Sequence, residues 1–118
     1  NALFARVRLA AIGKVEELGA LDADWGFTQA RWAYVLDSFY ADHEEILING
    51  DARSAAYLDI DQSREQSDHV WHVRQIILDS DADLDYRIEA DLDLDATQEE
   101  GQAVFSSYQV GCIEDFLG

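Results

Sequence analysis

Leu84-Asp85-Tyr86-Arg87-Ile88-Glu89-Ala90-Asp91-Leu92-Asp93-Leu94 is the stretch that decides the fold. Leu84, Tyr86, Ile88, Ala90, Leu92 and Leu94 are apolar, and the residues between them are all charged. Successive side chains of a strand point to opposite faces, so this period of two sets one face against a core and the other against water. Upstream, Ala56, Leu58 and Ile60 alternate with Tyr57, Asp59 and Asp61, which predicts another strand. Between the two, Gln62 to Asp68 reads as a polar connection and Val70 to Leu78 as a strand covered on both faces. Downstream, Thr97 to Gly101 reads as a turn, Gln102 to Gly111 as a fourth strand, and Ile113 to Leu117 as a short helical turn.

Before Gly50 the period is helical. Leu3, Val7, Ala10, Ala11, Val15 and Leu18 predict a helix over 3–18, with Gly19 as its stop. Ala20 to Phe27 reads as a packed linker carrying Leu21, Trp25 and Phe27. Thr28 is placed to cap a second helix, whose stripe of Trp32, Leu36, Phe39, Tyr40, His43 and Leu47 ends at Asn49-Gly50. Helices followed by strands on short turns imply an α+β domain: N-terminal helices packed on a curved antiparallel four-stranded meander. A cystatin-like or nuclear-transport-factor-2-like cone fits that order by analogy, with a plain two-layer sandwich as the alternative.

The chain of 118 residues has 25 Asp and Glu against 8 Lys and Arg, a formal charge of −17. A surface so negative repels phosphates, so direct nucleic-acid binding is not expected. Arg6, Arg8 and Arg31 are too few and too scattered for a basic stripe, and Trp25, Trp32 and Trp71 are read as packing residues. Only one of the eight bases is Lys, and an acidic, lysine-poor surface is also what salt adaptation produces. No apolar run approaches the length of a membrane span. The lone Cys112 excludes an internal disulfide, and the reading is a cytoplasmic single domain over residues 1–118. The absence of Met suggests an excised piece of a longer protein.

Asp79-Ser80-Asp81-Ala82-Asp83-Leu84-Asp85 has the alternating oxygen ligands that open a calcium loop. The sixth place holds Leu84 where glycine is needed, and the twelfth holds Ala90 where a bidentate Glu belongs. It therefore reads as a solvated hairpin loop. Glu89, Asp91, Asp93 and Asp95 read as a water-facing row with ordinary pKa values. His69 and His72, three apart on an expected strand, point to opposite faces and cannot clasp one metal. His43 reads as a hydrogen-bonded packing residue and Cys112 as a small apolar filler. Glycine-rich phosphate loops and nucleophile elbows are absent from the sequence. No catalytic, cofactor-binding or metal-binding residue and no cofactor is assigned.

Several stretches together resemble the C-terminal domain of unknown function attached to a group of bacterial DEAD/DEAH-box helicases. They are Asn1 to Phe4 with Leu9 to Ala11, Leu21 to Asp24, the tract from Trp32 through Phe39-Tyr40 to His43-Glu44, and Asp51 to Arg53. Val70-Trp71-His72-Val73-Arg74-Gln75-Ile76, followed by the Asp-rich turn and Ala90 to Leu94, is the most telling part. Tyr86 stands where the family pattern has tryptophan. The resemblance covers roughly residues 1–110. It implies a non-catalytic accessory domain of an ATP-dependent helicase, in contact with a protein partner or with the helicase core of its own chain. A reading from a different class is a small-molecule binder or enzyme, with His43, Tyr86, Arg74 and Asp59 converging in a pocket between helices and sheet. A core filled by Trp32, Phe39, Leu92 and Phe105 would favour the scaffold.

Overall fold

Asn1 starts the first helix: its side-chain oxygen accepts from the Leu3 and Phe4 amides at 2.9 and 3.3 Å, satisfying two donors that no helical carbonyl can reach. The computed structural model describes the backbone of residues 1–117 and the side chains of residues 1–116. Helix α1 spans Ala2–Ala11 and α2 spans Val15–Asp22. The single helix expected over 3–18 is thus broken at Gly13, whose φ of 71° lies in the left-handed region that glycine enters without steric cost. Gly19 does not stop a helix. It lies buried inside α2, where an added Cβ would stand 2.7 Å from Gln29 N and Gln29 Cβ. Its missing side chain lets α2 cross the start of the next helix at backbone contact.

A 3₁₀ turn at Ala23–Trp25 and Gly26 (φ 85°) lead into α3, Gln29–Asp42. Thr28 caps α3 as expected, its hydroxyl accepting from Arg31 N at 3.3 Å. The helix ends at Asp42, short of the expected Asn49-Gly50, because the following chain is claimed by the sheet side. Ile46 bridges Asp79, and Leu47 N donates to Leu78 O at 2.8 Å. Tertiary pairing overrides the helical spacing of Leu47.

The strands are β1 (Leu58–Asp61), β2 (Val70–Ile77), β3 (Tyr86–Asp93) and β4 (Phe105–Cys112). They pair antiparallel in the order β1-β2-β3-β4, the expected meander. The polar connection before β2 contains a single turn, α4 (Glu65–Asp68). The turn expected at 97–101 is instead helix α5 (Leu94–Glu100). Asp93 caps it by accepting from Ala96 N at 3.0 Å, and Gly101 (φ 74°) closes it. Helix α6, Ile113–Leu117, follows β4 as read. The architecture is α+β, with N-terminal helices on a four-stranded antiparallel sheet.

The period of two holds over the first part of β3, where Tyr86, Ile88 and Ala90 are buried while Arg87, Glu89 and Asp91 are half-buried. A register shift between Asp91 and Leu92 ends it; Leu84 lies in the preceding loop and Leu94 opens α5. Trp32, Phe39 and Leu18 close over this face from the helices. Trp25 meets Phe105 edge-on at 5.3 Å between centroids. No described helix is long and apolar enough to cross a membrane.

Candidate functional site

The turn joining β2 to β3 is organised by one carboxylate. Asp79 Oδ1 accepts from the Asp81 and Asp83 amides, each at 3.0 Å, and Oδ2 accepts from Leu84 N at 2.9 Å. Ala82 (φ 56°) and Leu84 (φ 57°) are left-handed without being glycine, a conformation that these three bonds hold against its steric cost. The buried Asp79 is thus the hub of the loop, while Asp81 and Asp83 reach into solvent. Only that outer half is the solvated hairpin expected from the sequence. Burial pushes the Asp79 carboxyl up, but the Asp83 and Leu84 amides and the nearby charge of His43 outweigh it, and its pKa falls below the usual carboxylate value.

His43, at the end of α3, is only 5 % exposed and packs against Phe39 and Tyr86. Its Nε2 lies 2.9 Å from Asp85 Oδ1. A carboxylate can only accept, so this nitrogen carries the proton. Nδ1 stands 3.6 Å from Asp79 Oδ1, 3.5 Å from Asp81 Oδ2 and 3.9 Å from Asp83 Oδ2, and it has no hydrogen-bond partner. Burial disfavours the imidazolium, yet the bond to Asp85 and the charges of Asp79 and Asp85 prevail, raising the pKa of His43 above 6.5. The hydrogen-bonded packing role read for His43 is thus met, through Asp85, Phe39 and Tyr86. The expectation that no metal set could be assembled rested on local spacing. Folding instead brings a ligand atom each from His43, Asp79, Asp81 and Asp83 within 4.8 Å of one another. No sequence signal connects position 43 to position 79; the Asp alternation alone was visible.

The quartet considered for a pocket does not converge. His43 and Tyr86 are on the helix side, with Tyr86 Oη 2.6 Å from Ser38 Oγ. Arg74 and Asp59 oppose each other across β1 and β2 and pair at 3.6 Å on the far face. The strand register separates the two pairs, since residues 73, 75 and 77 turn inward and 74 outward. Trp32, Phe39 and Phe105 fill the core as expected. Leu92 is half-buried against that core and, with Phe105, borders an apolar cleft of about 290 Å³ also lined by Leu3, Leu58, Trp71 and Val73.

The acidic row on β3 is half-buried and paired, not simply solvated. His72 Nδ1 and Nε2 lie 2.8 Å from Asp91 and 3.2 Å from Glu89, an arrangement that only the imidazolium satisfies. The bond to Asp91 raises the pKa of His72. Asp91, pushed up by burial, is pulled down further by bonds from His72 and Ser107. His69 is not on a strand; it ends α4 in the left-handed conformation and pairs with Asp95 at 2.9 Å. The two histidines thus hold separate carboxylates. Cys112 is half-buried at the end of β4.

A second buried carboxylate escaped the sequence reading. Asp22 accepts from Arg6 Nε at 2.9 Å, Trp25 Nε1 at 2.9 Å and Trp32 Nε1 at 3.0 Å. Arg6 is therefore a core cation, not one of three scattered surface bases. Its guanidinium also donates to Ala2 O and stands 5.5 Å from the Phe105 centroid.

No curated protein and no solved structure matches the chain. The organising features lie within the segment that a family model covers: residues 1–110 match the Domain of unknown function (DUF3516), and the chain belongs to that family.

Proposed function

We propose that this protein is the non-catalytic C-terminal accessory domain of an ATP-dependent DEAD/DEAH-box helicase, and that it acts through protein contacts. The observation that carries the reading is how its charge is distributed. On the outer sheet face, acids are interleaved with Arg74 and His72 in cross-strand pairs, and Arg64, from the β1–β2 connection, reaches Asp91. On the helical side Glu16, Glu17, Asp24, Asp37, Asp42 and Glu44 are exposed and lack an ion-pair partner among the described residues. Unpaired surface carboxylates attract a positive surface and repel a polyanion. The complement is a basic strand-binding channel, on the motor of the same chain or on a partner, for which this domain would compete with phosphates.

The test is to add the isolated domain to the helicase motor at low salt and measure nucleic-acid affinity. Affinity should fall as the domain is added and recover with rising ionic strength, because surface attraction is screened within about 10 Å at 0.1 M salt. Replacing Glu16, Glu17, Asp37 and Asp42 by their amides should abolish the competition. An unchanged affinity at low salt would refute the reading.

A further inference from the structure

We propose that His43, Asp79, Asp81 and Asp83 form a binding site for a divalent transition-metal ion of the zinc class. Two independent observations meet there. One is the set of carboxylates that the loop gathers around Asp79. The other is His43 Nδ1, on a side chain more than nine-tenths buried, which lacks a hydrogen-bond partner and is aimed into that set. A buried polar atom without a partner is costly unless something outside the protein satisfies it.

The dimensions fit. Zinc bonds to nitrogen and oxygen run about 2.0–2.2 Å, so neighbouring ligand atoms of a tetrahedron stand about 3.3–3.6 Å apart. The separations from Nδ1 to the Asp79 and Asp81 oxygens, 3.6 and 3.5 Å, match such edges, and the 3.9 Å to Asp83 would shorten by a small movement of that exposed side chain. The second shell is also in place. Asp85 accepts the Nε2 proton at 2.9 Å, which orients the ring with Nδ1 toward the loop, as carboxylates do behind metal-bound histidines; the ion would take the place of the Nδ1 proton of the imidazolium. Asp79 spends three of its roughly four acceptor positions on backbone amides, two of them on Oδ1, which fixes the carboxylate; its free position is on Oδ2, so an ion at Oδ1 would share that oxygen with the loop amides.

One imidazole among carboxylates selects the class. Calcium and magnesium prefer all-oxygen cages, whereas zinc and manganese accept a nitrogen, zinc the more tightly of the two. Asp81 and Asp83 are exposed, so the ion would enter from solvent. It would fasten the end of α3 to the β2–β3 loop and neutralise part of the charge there.

The experiment is calorimetric titration of the 118-residue protein with ZnCl₂ at neutral pH, alongside MnCl₂, CaCl₂ and MgCl₂. A single saturable zinc equivalent is expected, with manganese weaker and the other two weaker still. The exposed pair Asp81→Asn/Asp83→Asn should lower zinc affinity by about tenfold or more, whereas Asp95→Asn, beside His69, should leave it unchanged. Nitrogen-15 spectra of the histidine rings supply a readout independent of stability: zinc should move the Nδ1 resonance of His43 and not those of His69 or His72. Absence of a saturable heat, a silent His43 ring, or zinc and calcium bound alike irrespective of Asp81 and Asp83 would each overturn the proposal.

Discussion

Asp22 and Asp79 are the two most deeply withdrawn carboxylates of this molecule, at 0 % and 1 % exposure, and each accepts three N–H donors divided two and one between its oxygens. The donors differ in origin. Those on Asp22 come from Arg6 on α1 and Trp32 on α3, sixteen and ten positions away, and from Trp25 in the adjoining 3₁₀ turn, so one carboxylate ties α1 to α3. Those on Asp79 come from its own loop, within five residues. Beside Asp22 the opposing cation is bonded; beside Asp79 the opposing ring is bonded to Asp85 through Nε2 and turns an unbonded Nδ1 to the loop. Three hydrogen bonds satisfy a buried charge equally well in either place. The set on Asp22 joins helices, the set on Asp79 shapes one loop, and each has an unbonded buried neighbour: Tyr108 Oη beside Asp22 and His43 Nδ1 beside Asp79.

That contrast breaks first, and hardest, at Asp22. Asp22→Asn removes the charge facing a buried guanidinium and forces an amide to serve three donors, which should cost about 3–5 kcal/mol. Urea denaturation measures it. A loss below about 1 kcal/mol would mean that Arg6 and the two indoles find water, and that the node does not join the helices. Asp79→Asn should cost less, about 1–3 kcal/mol, because its donors sit in a surface loop that can open to solvent. In amide exchange the Asp81, Asp83 and Leu84 amides should lose protection while the strands keep theirs. An equal loss of protection throughout the sheet would erase the distinction.

The smallest effect belongs to the half-buried counterpart of both sites, the His72–Asp91 pair. Its histidine pKa is raised by the bond to Asp91, so that contribution is complete below 6.5 and is lost as pH rises through the folded value. Burial pushes the Asp91 carboxyl up, but the bonds from His72 and Ser107 leave it lowered; its contribution is present above 3.8 and is lost as pH falls through the folded value. The pair therefore adds most between 3.8 and 6.5. Solvent screening keeps the amount within about 1 kcal/mol. His72→Ala should lower the urea midpoint slightly at pH 5.5 and leave it unchanged at pH 9; an equal drop at both would assign the effect to packing.

What the sequence could announce follows from the range of the interactions. The β3 alternation was legible because strand faces are dictated residue by residue, and Thr28 because a cap acts over three positions. The end of α3 was not, since the pairing of Ile46 with Asp79 lies outside any local window. Gly19 looked like a helix stop because its role is a contact with Gln29. The turn expected at 97–101 hid a capped helix, although Asp93 three residues before Ala96 is a capping spacing. For the candidate site, the aspartates were visible and their histidine was not. Asp22 was invisible for the same reason, its partners lying up to sixteen positions away.

Strand β1 carries one last consequence. It forms an outer margin of the sheet, is four residues long, and flanks its exposed Ile60 with Asp59 and Asp61. An open margin ordinarily invites a neighbouring molecule to add its own strand, and brevity together with like charge deters that stacking. Exchanging both aspartates for threonine should therefore leave folding almost untouched while making concentrated solutions prone to fibrils.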